Sequence, residues 1–99
     1  MTIDKAAEGK KLTMKITGRL DTTTAPELEK ELAASLDGVE ELALDFTSLD
    51  YLSSAGLRVL LAAQKRMAQQ GKMTVSHVNP SIMEVFDITG FSDILTILP

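Results

Sequence analysis

The sequence predicts an α/β fold: a mixed sheet with helices, in the order β-β-α-β-α-β-α-β. In several short segments apolar and polar residues alternate, as expected for half-buried strands. Between those segments apolar residues recur at the i, i+3, i+4 spacing of amphipathic helices. Strands that alternate with helices favour right-handed crossovers and mainly parallel pairing. At 99 residues, the chain is expected to form one domain spanning residues 1–99.

The first two segments predict an antiparallel hairpin. Residues 3–7 alternate weakly, Glu8-Gly9-Lys10 resembles a turn, and residues 12–20 alternate strictly. Later strands are predicted at residues 42–46, 73–77 and 94–98.

Three helices are predicted between these strands. The first begins at Thr24, with Pro26 in its first turn and Glu27 in the position of a capping box. The other two span about residues 54–70 and 80–89, each followed by a glycine. Residues 47–52 are interpreted as a connection leading into the second helix.

Composition excludes several classes of function. Without cysteine, the chain can form neither a disulfide nor a thiolate metal site. A net charge of −4 with scattered basic residues argues against a nucleic-acid partner. No apolar run approaches the ~20 residues that span a bilayer, and the N-terminus does not resemble a signal peptide. We therefore expect a cytoplasmic protein without direct membrane insertion and without a cofactor.

Ser53 and Ser54 stand directly before the second helix and have two interpretations. In the simpler one, a serine is only the N-cap, worth about 1 kcal/mol. In the other, a serine hydroxyl at the helix start accepts a phosphate, which the free N–H groups and the helix dipole favour. Ala55 and Gly56 are small, so a kinase could approach this turn.

Asp21 follows a predicted strand and precedes a helix, as Ser54 does. It could form an Asx turn that helps to start the helix. Alternatively, Asp21, Asp50 and Ser54 share one rim of the sheet. Asp45 is predicted to point outward into solvent.

Catalytic motifs are not evident. A G-x-S-x-G elbow, a P-loop and a G-x-G-x-x-G loop are absent, and carboxylates are not clustered at metal-ligand spacing. His77 is interpreted as a structural residue at the end of a strand. We therefore do not expect an enzyme.

Three stretches together resemble the STAS domains of bacterial anti-sigma factor antagonists. They cover nearly the whole chain and read ITGRLDTTTAPEL, LALDFTSLDYLSSAGLRVLL and VNPSIMEVFDITGFSDILTI. The resemblance implies a STAS-like fold. Many members carry a C-terminal helix, which is expected to be short or absent here, since the sequence ends after its last predicted strand.

The resemblance also implies partner switching. The unphosphorylated protein would bind an anti-sigma factor that is also a GHKL-type serine kinase, and so free the sigma factor. Phosphorylation would end binding, and a serine phosphatase would restore it. Aligning Gly56 and Leu57 with the family pattern places the phosphoacceptor at Ser54, and Ser53 where an Asp is common.

The partner surface implied by the resemblance comprises residues from three neighbouring segments: Asp21, Thr22, Thr23, Asp50, Ser53, Ser54, Ala55, Gly56 and Arg58. An alternative is a STAS accessory subunit of a membrane transporter that is not phosphorylated. A small enzyme or a nucleotide-binding protein is a third possibility, although no phosphate-binding loop supports it.

Overall fold

The computed structural model describes residues 1–99 and contains a six-stranded sheet and three α-helices. The strands are β1 (Thr2–Glu8), β2 (Lys11–Leu20), β3 (Glu41–Asp45), β4 (Leu49–Leu52), β5 (Lys72–Ser76) and β6 (Thr96–Ile97). The helices are α1 (Ala25–Ser35), α2 (Ser54–Gln70) and α3 (Pro80–Thr89), and a 3₁₀ turn spans Phe91–Asp93.

The sheet is mixed, with strand order β1-β2-β3-β5-β6 and β4 paired with β2. Only the β1–β2 hairpin is antiparallel, and every other pair is parallel. The predicted α/β class and the hairpin are therefore confirmed.

Strand β2 is the centre of this topology because it has different neighbours along its length. Residues 11–15 pair with β3, whereas residues 18–20 pair with β4. The change of partner coincides with an irregularity between Gly18 and Arg19, and Gly18 has a φ of +104°. Glycine suits this position because a side chain would be strained at that φ.

The prediction that residues 47–52 form only a connection is wrong, because residues 49–52 form β4. This strand has four residues, of which only Leu49 and Leu52 are buried. Its burial pattern therefore lacks the alternation by which strands are recognised in sequence. The final strand is also shorter than predicted, since the 3₁₀ turn occupies residues 91–93 and pairing is confined to Thr96–Ile97.

The core lies on one face of the sheet. Its central residues are register partners from β2, β3 and β5: Leu12, Met14, Leu42, Leu44, Met73 and Val75. All three helices contribute buried side chains to the same apolar cluster. On the opposite face of these strands no residue is buried. The helices therefore cover a single face of the sheet.

The helix caps differ in part from the prediction. Ser53 and Asn79 cap α2 and α3 with their side chains, as expected for these residue types. Thr24 stands at the N-cap of α1 without a side-chain cap, so the predicted capping box with Glu27 is wrong. The Thr24 hydroxyl instead donates to the carbonyl of Arg19 at 2.7 Å. None of the helices has the length and apolar character that crossing a bilayer requires.

We predict that Gly71→Ala strongly destabilises the fold. A Cβ at residue 71 would lie 1.8 Å from the carbonyl oxygen of Glu40, so the chain between α2 and β5 would have to move. That movement would strain the hydrogen bond from the Lys72 N–H to the same carbonyl. We expect a loss of about 3 kcal/mol or more in urea unfolding, at the severe end of single substitutions.

Gly90→Ala is the matched control. A Cβ at residue 90 would meet nothing within 4 Å, so only its left-handed φ of +81° is costly, by about 1–2 kcal/mol. Equal losses for the two variants would contradict the close-approach argument.

Candidate functional site

The ends of β2 and β4 bring two loops together at one edge of the sheet. Leu20 and Leu52 are register partners, and the N–H of Ser53 donates to the carbonyl of Leu20 at 2.9 Å. Asp21 directly follows β2, and Ser53 directly follows β4. The structure therefore places the loop that leads to α1 and the turn that leads to α2 at the same end of the sheet.

The two serines have different environments. The half-buried Ser53 accepts a hydrogen bond from the Gly56 N–H at 3.4 Å and so serves as the cap of α2. Ser54 is exposed, lies in the first turn, and its hydroxyl forms no hydrogen bond within the chain. Ser53 therefore caps the helix, whereas the hydroxyl of Ser54 is free of hydrogen bonds within the chain.

Gly56 fixes how closely α2 approaches the strands. A Cβ there would lie 2.7 Å from Leu52 Cδ1 and 2.8 Å from Leu20 Cγ. The first turn of α2 therefore rests directly on the last residues of β2 and β4. Ala55, beside it, is half-buried against the core.

Asp21 organises the loop that leads into α1. Its Oδ1 accepts hydrogen bonds from the N–H groups of Thr23 and Thr24 at 3.0 and 3.1 Å. Its own N–H donates to the Thr24 hydroxyl, and its carbonyl accepts from the Ala25 N–H. This is the Asx-type turn that the sequence left as one interpretation.

The same contacts lower the pKa of Asp21 below its ordinary value. The largest cause is the hydrogen bond from the Thr24 N–H, with further contributions from Thr23 and from the charge of Arg19. Partial burial acts in the opposite direction but is outweighed. The carboxylate is therefore held in its ionised form.

The remaining predicted residues surround this centre. Thr22, Thr23 and Arg58 are exposed, and Thr22 and Arg58 line a shallow depression between the starts of α1 and α2. Asp50 is exposed within β4, two residues before that strand ends, and has no hydrogen bond or ion pair with Asp21 or the serines.

Two further residues at this edge were missed in the sequence. The guanidinium carbon of Arg19 lies 4.1 Å from the ring centroid of Tyr51, and Arg19 Nε is 3.6 Å from Asp21 Oδ2. Tyr51 is 42% exposed, a large value for an aromatic side chain. Because the pair depends on the register between β2 and β4, no signal along the sequence could have revealed it.

His77 and Asp45 form a separate cluster. His77 follows β5 with a φ of +57°, and its Nδ1 lies 3.3 Å from Asp45 Oδ1 and 3.2 Å from Ser76 Oγ. Asp45 lies on the outer face of β3, as predicted, but it is half-buried and accepts hydrogen bonds from Thr47, so it is less solvated than expected. His77 and Ser54 are not hydrogen-bonded to each other, so a serine–histidine pair gains no support.

Comparison with known proteins agrees with this architecture. A family model described as "Mlab, STAS domain" matches residues 3–98. The chain belongs to the STAS domain family.

Two relatives of this chain are named as anti-sigma factor antagonists. The proposed anti-sigma factor antagonist BtrV of Bordetella bronchiseptica is 43% identical over 82 residues, which are 81% of this chain and 71% of BtrV. The anti-sigma-B factor antagonist of Staphylococcus aureus is 29% identical, over 96% of this chain and 90% of the relative. Among solved structures, the Bacillus cell fate determinant SpoIIAA in its phosphorylated form has the same fold. Its TM-score is 0.76 at 15% identity, over 99% of this STAS chain and 92% of SpoIIAA.

We predict that Asp21→Asn destabilises the protein at pH 7 and much less at pH 3. A carboxyl whose pKa is lowered by folding stabilises the folded state above its unfolded value, here the ordinary 3.8. That stabilisation is lost as the pH falls through the lowered folded value. Asparagine keeps an acceptor oxygen but not the charge, so it resembles the protonated aspartic acid. The difference in unfolding midpoint between wild type and variant, measured in urea, should therefore shrink on acidification.

Asp50→Asn is the control, since Asp50 is exposed and makes no hydrogen bond or ion pair. It should match wild type at both pH values. A destabilisation by Asp21→Asn that is as large at pH 3 as at pH 7 would contradict the charge argument.

We also predict that Gly56→Ala is destabilising. Alanine in a helix interior is normally about 1 kcal/mol better than glycine. Here its methyl group would contact Leu20 and Leu52 below 3 Å, and overpacking of this kind costs about 1–3 kcal/mol. The measurement is urea unfolding, with Ser54→Ala as a neighbouring exposed control that should change little. A stabilised Gly56→Ala variant would show that the junction has spare room.

Proposed function

We propose that this STAS domain is an anti-sigma factor antagonist that acts by partner switching. Its unphosphorylated form binds an anti-sigma factor and so frees a sigma factor. Phosphorylation of Ser54 ends binding, and a serine phosphatase restores it. The observation that carries the proposal is the exposed, unbonded hydroxyl of Ser54 on the rim shared with Asp21.

The anti-sigma factor is proposed to be a GHKL-type serine kinase, which supplies the catalysis. Ser54 Oγ attacks the γ-phosphorus of ATP held by the kinase, forming the new O–P bond. The bond from that phosphorus to the bridging oxygen breaks, ADP leaves, and the hydroxyl proton passes to a base of the kinase. Ser53 is the poorer substrate because its hydroxyl is half-buried and used as the helix cap.

The proposed docking surface is the rim around Ser54. It comprises residues of the α1 loop, of β4 and of the first turns of α2: Asp21, Thr22, Thr23, Asp50, Ser53, Ser54, Ala55 and Arg58. Gly56, expected on this surface from the sequence, is buried against Leu20 and Leu52 and therefore positions α2 without facing the partner. A phosphate adds about −1.5 to −2 charges. On a surface that must be desolvated by a partner, such a charge is sufficient to disfavour binding.

Two comparisons support this assignment. Both curated relatives are named as anti-sigma factor antagonists. SpoIIAA, which shares the fold, exists in a phosphorylated form.

The alternative is a STAS accessory subunit of a membrane transporter, which is not phosphorylated. Ser53 favours it, since members of the phosphorylated group often have an acid at this position and this chain has a neutral cap. Native mass spectrometry of the protein purified from its own cell separates the two, because only the first proposal predicts a phosphorylated fraction.

We predict that two substitutions at Ser54 differ in their effect on the affinity for the partner. With the cognate kinase, Ser54→Ala should abolish phosphorylation and keep the affinity within about twofold, because the Ser54 hydroxyl has no structural partner. Ser54→Asp should weaken binding by about tenfold, or ~1.4 kcal/mol. Calorimetry measures the affinity, and mass spectrometry measures the phosphate.

Ser53→Ala is the matched control. It removes the cap, at a cost of about 1 kcal/mol in stability, but leaves the Ser54 hydroxyl in place, so phosphorylation should continue. Equal affinities of wild type, Ser54→Ala and Ser54→Asp would refute the switch.

A further inference from the structure

Arg58 differs from the other two arginines of the chain in having no partner. Arg19 lies over Tyr51 and beside Asp21, and Arg66 pairs with Asp37 at 2.7 Å. Arg58 is exposed and forms neither an ion pair nor a hydrogen bond within the chain. Its five N–H donors are therefore free to bind an added acceptor.

Arg58 lies on the same side of α2 as Ser54. The two residues are four positions apart in a continuous helix, and both are exposed. Side chains at i and i+4 lie one above the other, about 5–6 Å apart at Cβ. Long side chains of a helix also lean toward its N-terminus. This spacing puts a group added to Ser54 within reach of the guanidinium group of Arg58.

Arg58 also lines the depression between the starts of α1 and α2. The other lining residues are Thr22, Ala25, Pro26, Glu29, Ala55 and Val59. Glu29 is the only carboxylate among these residues, and it does not pair with Arg58. One wall of the depression is thus formed by an unpaired arginine that lies four residues along α2 from the proposed phosphoacceptor.

We propose that Arg58 binds the phosphate on Ser54 within the same chain. The inference rests on the proposed function in taking Ser54 as the modified residue. Arginine suits the role because its planar guanidinium group can donate two parallel hydrogen bonds to phosphate oxygens. Phosphorylation would then act twice: it adds charge to the docking surface, and it withdraws Arg58 from any carboxylate of the partner.

The test installs phosphoserine at residue 54 by genetic encoding, so that no kinase is needed. The second ionisation of phosphoserine, with a pKa near 6, is followed by ³¹P NMR. Because Arg58 stabilises the dianion, Arg58→Gln should raise this pKa by about 0.4 pH units, in line with the strength of i,i+4 ion pairs. Arg58→Lys keeps the charge without the bidentate geometry and should raise it by less.

Lys65→Gln is the matched control, since it removes one exposed positive charge from the same helix. Residue 65 lies about 16 Å along α2 from residue 54, beyond the Debye length at physiological salt, so its effect should stay below about 0.1 pH unit. Equal titration of wild type and Arg58→Gln, or equal shifts for Arg58→Gln and Lys65→Gln, would overturn the proposal. Circular dichroism of the unphosphorylated variants confirms that each is folded.

This outcome is separate from the fate of the proposed function. If no kinase modifies Ser54, the partner-switching proposal fails, while the titration still reports whether Arg58 binds phosphate at this site. If Ser54 is modified and the titration does not respond to Arg58, only the contact proposed here is wrong.

Discussion

The site depends on the close approach of three backbone segments at residue 56. Leu20 ends β2, Leu52 ends β4, and a Cβ on Gly56 would lie below 3 Å from both side chains. The hydrogen bond from the Ser53 N–H to the Leu20 carbonyl joins the same segments through the main chain. Together they fix where α2 begins, and the position of Ser54 follows from that beginning.

The second constraint is the division of β2 between two partners. Since the strand pairs first with β3 and then, from Gly18 onward, with β4, the end of β2 lies beside the end of β4. Asp21 therefore begins the α1 loop next to the start of α2. Its hydrogen bonds to Thr23 and Thr24 hold that loop, so both sides of the depression near Arg58 are set by local backbone structure.

Elements with a regular burial pattern could be predicted from the sequence, whereas features that depend on contacts between elements could not. The alternation in residues 12–20 and the apolar spacing in residues 54–70 predicted β2 and α2 at nearly their observed bounds. Strand β4 escaped prediction because only its two end residues are buried. The predicted capping box at Thr24 does not form, because the Thr24 hydroxyl donates to the carbonyl of Arg19. No local sequence pattern indicates this contact across the loop. The candidate site followed the same rule. Asp21 could be named from its place after a predicted strand and Ser54 from the resemblance to the family pattern, whereas the Arg19–Tyr51 pair required the β2–β4 register.

The different roles of Ser53 and Ser54 in the structure determine which of them suits a reversible modification. A modification at Ser53 would remove the hydrogen bond to Gly56 and weaken the start of α2, so folding and signalling would be coupled. Ser54 makes no hydrogen bond, and its side chain is exposed. A group added there changes the charge and shape of the surface while every contact that positions α2 remains. In the proposed cycle of phosphorylation and dephosphorylation, a partner would therefore be released and bound again without refolding of α2.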